Sequence, residues 1–252
     1  MNLLEVVDLH VRYGAYEAVK GVSFTLAKGE ILGIVGESGS GKSTIAKTLM
    51  GLERPSAGQI LLHSANPPNP QTAKPVLQMI FQDAAGSLNP RLTVRQTLTE
   101  IIEFTNRQRR GTRQGIPVEA EIARLLEQIG LSAAVLDQYP REMSGGQCQR
   151  VSIARALATH PDVLIADEPV SALDVSVQAR ILNLLRDLRR DLGLSILLVA
   201  HDLAVVKNVC DRVCVVERGR FVDVGETESV FAHPTSDYTK RLLAAVPRLT
   251  FA

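Results

Sequence analysis

The sequence predicts an α/β fold whose mixed, mostly parallel sheet is joined to an antiparallel β lobe and a helical insert. Four short apolar runs fit buried strands, at residues 31–35, 163–166, 195–200 and 213–216. Their continuous apolar character, and the helical periodicity between them, indicate a sheet covered by helices, with the first three strands parallel. The first 62 residues contain strand-like runs broken by turn residues, and residues 83–160 have helical periodicity.

The composition fits one large folded unit. Of 252 residues, 45% are hydrophobic and 22% charged, which excludes a disordered chain. With 28 Lys and Arg against 27 Asp and Glu, the net charge of +1 gives no electrostatic footprint for nucleic acid. No run reaches the ~18 apolar residues of a spanning helix, and the N-terminus lacks the apolar region of a signal peptide. We therefore expect a chain neither exported nor membrane-embedded by itself, with Cys148, Cys210 and Cys214 as buried thiols.

The antiparallel lobe is expected from residues 5–27 and 58–62, with turns at Tyr13-Gly14 and Lys28-Gly29. Helices are expected at 94–102, 122–129 and 177–192, because their apolar residues recur with a 3.6-residue period. Thr93 and Gln96 form a capping-box pattern at the first helix, and Asp174 is the candidate N-cap of the third. Residues 66–75 and 105–115 have loop composition, and the arginines between 107 and 113 fit a solvated charge run or a lipid contact.

A glycine-rich loop follows the first apolar strand and opens a helix, which is the context of a P-loop. Its backbone N–H groups would surround phosphates, Lys42 would reach the β- and γ-phosphates, and Ser43 would ligate Mg²⁺. The loop comprises Gly36, Glu37, Ser38, Gly39, Ser40, Gly41, Lys42 and Ser43, with Thr44 following. The pattern predicts a P-loop that binds β- and γ-phosphates together with Mg²⁺, and the family resemblance given below implies that the nucleotide is ATP.

Polar residues also end the second and third buried strands. Asp167 suits the Mg²⁺ shell, and Glu168 suits the general base that polarises the attacking water. His201 follows the third strand, and we expect it to contact the γ-phosphate. Because carboxyl ends of parallel strands line one crevice, these side chains are expected beside the P-loop.

A second anion-binding helix N-terminus is predicted at Ser144, Gly145, Gly146 and Gln147. The pattern S-x-x-Q is also a capping box, which is a purely structural interpretation. Two glycines expose backbone N–H groups to an anion. One P-loop and one separate anion site in the same chain suggest that two chains complete each other's sites.

Met143 to Gln147 resembles the signature sequence of ATP-binding cassette (ABC) ATPases, and it stands between Walker A and Walker B motifs in that family's order. The resemblance covers nearly the whole chain. It implies that Tyr13 stacks on adenine, and that Gln82 is a catalytic and metal-contacting residue linking the site to a transmembrane partner. It also implies that residues 171–174, ending at Asp174, form the D-loop at a dimer interface.

The resemblance also implies one ABC nucleotide-binding domain over residues 1–252. Within it, residues 1–82 would form the β lobe and P-loop, 83–160 the helical insert, 161–232 the remaining α/β core and 233–252 a C-terminal tail. The strings FQD at 81–83, SLNPR at 87–91 and SALDVSVQA at 171–179 resemble the peptide/nickel importer branch, as do His233-Pro234 and Tyr238-Thr239. Met143, Val170 and Ala200 depart from the usual residues without removing a catalytic group.

The function expected from this resemblance is an ATPase that powers uptake of a peptide, nickel or a metal chelate. Its partners would be a second ABC ATPase chain, identical or related, and transmembrane permease subunits, with a solute-binding protein indirectly and no nucleic acid. Its location would be the cytoplasmic face of the bacterial inner membrane. The alternative is a non-transport ABC ATPase acting on nucleic acid or ribosomes, but the chain lacks the long coiled coil, tandem cassette or basic surface expected for it. A small-molecule kinase would leave residues 144–147 unexplained.

Overall fold

The computed structural model describes residues 1–63, 76–108, 117–171 and 173–245. Two β-sheets organise these residues. The strands are β1 (Asn2–Tyr13), β2 (Tyr16–Ala27), β3 (Ile31–Val35), β4 (Ala57–Leu62), β5 (Leu77–Ile80), β6 (Val163–Asp167), β7 (Ser195–Ala200), β8 (Arg212–Glu217) and β9 (Arg220–Glu226).

The smaller sheet is the antiparallel lobe, with strand order β2-β1-β4. Leu4 of β1 is paired with Leu26 of β2 on one side and with Leu62 of β4 on the other. Successive side chains of a strand point to opposite faces of the sheet, and the buried side chains of β1 are leucines and valines. The predicted antiparallel lobe is therefore present.

The larger sheet has the order β5-β6-β7-β3-β8-β9. Strands β5, β6, β7, β3 and β8 run parallel, and β9 pairs antiparallel with β8 at the edge. Strands β3, β6 and β7 are buried along their whole length, which is why they appear in the sequence as unbroken apolar runs. This order places the carboxyl ends of β5, β6, β7 and β3 side by side.

The helices cover the larger sheet and build the insert. They are α1 (Lys42–Leu49), α2 (Ala84–Ser87), α3 (Val94–Gln108), α4 (Val118–Ile129), α5 (Gly145–Leu157), α6 (Val175–Leu192), α7 (Leu203–Val209), α8 (Thr227–Ala232) and α9 (Asp237–Ala245), with short 3₁₀ turns at Ala133–Val135 and Pro140–Glu142. Thr93 and Gln96 form the expected capping box, and α4 and α6 end at left-handed Gly130 and Gly193.

Two apolar clusters hold these layers together. One fills the space between the β lobe, α1 and one face of the larger sheet. The other joins the opposite face of that sheet to α3, α4, α5, α6 and α7. The insert and the sheet thus share one hydrophobic core, and the packing does not separate them into two units. The predicted boundaries of the sub-regions therefore stay predictions.

Several local expectations need correction. The predicted loop at 105–115 begins too early, because α3 continues to Gln108; Thr105 is buried and its hydroxyl donates to the Ile101 carbonyl at 2.8 Å. The rest of that loop and the predicted loop at 66–75 lie outside the described residues. Asp174 stands at the N-cap of α6, but its side chain makes no capping hydrogen bond.

Two other expectations can be compared with the fold directly. The three cysteines are free and buried, as predicted. Within the described ranges, the structure has no helix both long and apolar enough to cross a bilayer.

Candidate nucleotide-binding site

The loop from Gly36 to Gly41 connects β3 to α1. A Cβ atom on Gly36 would lie 2.2 Å from the Val216 carbonyl oxygen, so the loop can pass β8 only without a side chain there. Gly41 has a φ of 109°, which side-chain-bearing residues rarely adopt. The loop therefore curls tightly and directs the N-terminus of α1, with its unpaired backbone N–H groups, at the space above β3.

Lys42 is buried within this loop, with only 4% of its surface exposed. Its Nζ donates to the carbonyl oxygens of Gly36 at 2.7 Å and of Glu37 at 2.8 Å. Burial lowers the pKa of Lys42, and the negative charges of Glu168, Asp167 and Glu37 oppose that shift. The ammonium is thus held in place by two backbone carbonyls beside the loop that would receive phosphates.

Ser43 and Asp167 bring two oxygen atoms together. The Ser43 hydroxyl donates to Asp167 Oδ1 at 3.0 Å. Burial raises the pKa of Asp167, against the hydrogen bond from Ser43. Among the described residues no group of three or more His, Cys, Asp or Glu could hold a metal. A hydroxyl and one carboxylate nevertheless fit Mg²⁺, which is usually held by few protein oxygens together with phosphate and water.

The Glu168 carboxylate lies close to side chains from three parts of the chain: the segment after β5, the segment after β7 and the P-loop. Its Oε2 lies 3.2 Å from Gln82 Nε2 and 3.2 Å from His201 Nδ1, and its Oε1 lies 4.0 Å from Lys42 Nζ. Gln82 Nε2 is also 3.3 Å from the Ser171 hydroxyl. Glu168 has a φ of 46°, a strained left-handed conformation for a residue with a long side chain. Backbone strain that the surrounding structure maintains is typical of functional sites. In this chain the strained residue places its carboxylate next to Lys42 of the P-loop.

A cavity of about 350 Å³ lies in front of the P-loop. Its size is within the range of small-molecule sites. The lining residues are Tyr13, Tyr16, Ala18, Ser38, Gly39, Gly41, Lys42, Ser43, Thr44, Gln82 and Glu168. Tyr13 is 44% exposed at the end of β1, where a flat ligand can reach its ring.

Tyr16 was not singled out from the sequence, although it pairs with Tyr13 across the β1–β2 turn and lines the same cavity. The signal available was its position: an aromatic residue directly across a two-residue turn from Tyr13. Two tyrosines therefore border the side of the cavity formed by the β lobe.

Ser144 to Gln147 form the N-terminus of α5, away from this cavity. Ser144 and Gln147 make the predicted capping box, with bonds of 2.9 and 3.3 Å. Gly146 packs tightly against α6, because a Cβ there would lie 2.7 Å from Val177 Cγ1. None of the residues 144–147, nor Asp174, lines the cavity. In a single chain the structure does not bring the second predicted anion site to the P-loop.

The sequence of this chain is similar to those of known proteins. The family described as "ABC transporter" matches residues 19–171. A putative peptide import ATP-binding protein of Brucella ovis is 43% identical over 245 residues, which cover 94% of this chain and 74% of that protein. The oligopeptide transport ATP-binding protein OppF of Escherichia coli is 41% identical over 263 residues, covering 97% of this chain and 78% of its own.

The fold of this chain is also similar to the folds of solved ATP-binding cassette structures. CbiO1 from Clostridium perfringens, part of the ABC transporter complex CbiONQ, has a TM-score of 0.76 at 28% identity, covering 92% of this chain and 91% of its own. A dimeric ATP-binding cassette in a post-hydrolysis state, bound to ADP and Pi, has a TM-score of 0.73 at 27% identity, covering 89% and 98%.

Proposed function

This chain belongs to the ABC transporter family, and we propose that it hydrolyses ATP at the P-loop cavity to drive oligopeptide uptake through a separate permease. The predicted fold and the predicted class, an ATP-binding subunit of an ABC importer, are confirmed by these relatives. The single observation that supports the proposed chemistry is the Glu168 carboxylate, held over the P-loop by Gln82, His201 and Lys42.

Each residue of the site has a role that its position supports. Glu168 accepts the proton of the attacking water, and His201 orients that carboxylate and contacts the γ-phosphate. Lys42, positioned by its carbonyl partners, reaches the β- and γ-phosphates, and Tyr13 stacks on the adenine ring. Mg²⁺, when bound, would neutralise charge on the phosphates. Ser43 and Asp167 would hold it, with the amide oxygen of Gln82 as a further ligand.

Two chains form the working unit in this proposal. The partly exposed N-terminus of α5 has backbone N–H groups suited to a phosphate but does not line the cavity of its own chain. A partner's P-loop placed against Ser144, Gly145, Gly146 and Gln147 would therefore complete a shared site, with Asp174 at the interface. Val175, 82% exposed beside Asp174, fits burial in such an interface. The partner is an identical or a related ATPase chain.

The permease would contact the helical insert. A groove of about 430 Å³ on the insert is bordered by the apolar side chains of Leu92, Ile101 and Phe104, with Phe104 49% exposed. Arg155 of α5 extends to this groove and donates to the Ser87 carbonyl. Because Gln82 lies just before the chain segment that forms one wall, events at the nucleotide can reach the groove.

Peptides are the proposed cargo because relatives that are 41–44% identical to this chain are named for peptide import and oligopeptide transport. Nickel or a metal chelate is the second candidate. A solute-binding protein and the permease would select the solute. The chain would sit at the cytoplasmic face of the membrane as a peripheral subunit.

Reconstitution of the chain with its permease and solute-binding protein tests this function. We expect ATP-dependent uptake of a labelled oligopeptide into proteoliposomes, and no uptake with the Lys42→Ala chain. Uptake of ⁶³Ni²⁺ instead of peptide would correct the cargo. Failure to co-purify with a permease, together with ATP hydrolysis unaffected by one, would contradict the transport function.

A further inference from the structure

We propose that Tyr238, in the C-terminal helix α9, is a positioning residue that sets the location of the Lys42 ammonium through the Gly36–Glu37 peptide. The inference rests on the proposed role of Lys42 in phosphate binding. It assigns a role to the string around His233, Pro234 and Tyr238, which the nucleotide site itself leaves unused.

The two hydrogen bonds act on opposite ends of one peptide plane. The Glu37 N–H donates to the Tyr238 hydroxyl at 2.9 Å, and the Gly36 carbonyl accepts from Lys42 Nζ at 2.7 Å. Because a peptide unit is planar, its N–H and C=O directions are fixed relative to each other. The hydroxyl of Tyr238 therefore determines where the Gly36 carbonyl points, and with it where the ammonium of Lys42 rests.

The tyrosine is itself fixed by the fold. Asp223 in β9 accepts hydrogen bonds from the backbone N–H groups of Thr235 and Ser236, at 3.1 Å each, and from the Thr235 hydroxyl. The Ser236 hydroxyl in turn accepts from the Tyr238 N–H at 3.1 Å. These bonds hold the start of α9 against the larger sheet, so the hydroxyl is aimed at the P-loop from a rigid support.

Packing alone does not account for a tyrosine at this position. Tyr238 is 5% exposed and its ring belongs to the larger apolar cluster, a role that phenylalanine would also fill. Burial raises the pKa of the Tyr238 phenol, so the hydroxyl stays neutral. The hydrogen bond from the Glu37 N–H is partly buried, so an N–H that loses this acceptor is costly, and the Gly36–Glu37 peptide would rotate toward another acceptor. The loop would then hold Lys42 in more than one place.

The substitution Tyr238→Phe tests this role in the full-length chain. We expect the dissociation constant and the KM for ATP to rise about three- to tenfold, the value of one hydrogen bond. We expect kcat to change by less than about twofold, because bound phosphates position the ammonium once ATP is in place. The matched control is Lys240→Met on the exposed side of the same helix, which should leave both constants unchanged.

A second variant and a second measurement separate positioning from packing. Asp223→Asn weakens the anchor of α9 and should raise the KM for ATP in the same direction. Unchanged ATP constants in Tyr238→Phe would overturn the proposal. A lower unfolding midpoint with an unchanged KM would overturn it too, since that result would assign Tyr238 to packing alone.

The dependence on Lys42 is tested in a double variant. In a Lys42→Ala background, Tyr238→Phe should no longer alter the ATP-induced shift of the unfolding midpoint, because the effect passes through the ammonium. Independent, additive effects would overturn the proposal. If Lys42→Ala alone kept wild-type ATP affinity, the proposed nucleotide site would fail; if only Tyr238→Phe were silent, the site would stand without the positioning role.

Discussion

The substitution Glu168→Gln should stop ATP hydrolysis while keeping the ATP site intact. Glutamine has the shape of glutamate, so it still fits between Gln82 and His201, but it carries no charge and cannot take a proton from water. The change therefore separates the chemistry of the carboxylate from its packing.

The expected size of the effect follows from the contacts of Glu168. A positioned general base contributes about 10²–10⁴ to rate, so kcat should fall by that factor, roughly 3–5 kcal/mol of barrier. ATP binding should be unchanged or tighter. The lost carboxylate lies 4.0 Å from Lys42 Nζ, where a unit-charge attraction is about 4 kcal/mol at an effective dielectric of about 20, before solvation offsets it. Its removal frees the ammonium for phosphate and removes a negative charge from the path of the γ-phosphate.

Single-turnover phosphate release and isothermal titration with ATP measure the two quantities separately. Glu228→Gln is the matched control, because it makes the same charge change on an exposed residue of α8, outside the cavity. A kcat within about threefold of wild type would refute the assignment of Glu168 as general base, which predicts at least a hundredfold loss. A loss of ATP affinity comparable to the loss of rate would place Glu168 in binding instead of in the proton transfer.

Three further predictions concern the metal, the dimer and coupling. Ser43→Ala should raise the Mg²⁺ concentration for half-maximal ATPase by about tenfold, since it removes the hydroxyl ligand beside Asp167; an unchanged Mg²⁺ titration would exclude Ser43 as a ligand. In a homodimer, mixing Lys42→Ala chains with Ser144→Arg chains should restore part of the ATPase activity that each lacks, because one of the two shared sites is then intact; equal loss in mixture and single variants would argue against sites shared in trans. Gln82→Ala should lower uptake per ATP hydrolysed in proteoliposomes far more than it lowers ATP affinity, and a wild-type ratio of uptake to hydrolysis would refute the proposed link between Gln82 and the permease.

The elements predicted best are those whose burial is uniform. Strands β3, β6 and β7 are buried on both faces, so their apolar runs identify them without knowledge of neighbours. The P-loop was predictable for another reason: its glycines are required by backbone geometry within a few residues. In both cases local sequence contains the cause of the local structure.

The elements not predicted depend on distant partners. β5 has four residues, too few for a periodic pattern, and its main chain pairs with β6, which is distant in the sequence. β9 contains Asp223, which is buried because the start of α9 satisfies its carboxylate. The extension of α3 through Thr105 depends on its packing within the insert, where Thr105 is buried. No local pattern contains these contacts.

The strand order explains why the site forms and how it can signal. Gln82 follows β5, Glu168 follows β6, His201 follows β7 and the P-loop follows β3, and these four strands are consecutive in the sheet. The Glu168 carboxylate therefore receives contacts from both neighbouring strand ends and from Lys42 without any long loop. Gln82 contacts this same carboxylate, so under the proposed function loss or movement of the γ-phosphate would change the partners of the residue that leads into α2 and the insert. The sheet edge that places Glu168 also places Gln82, so in the proposed function hydrolysis and movement of the insert would depend on one set of contacts.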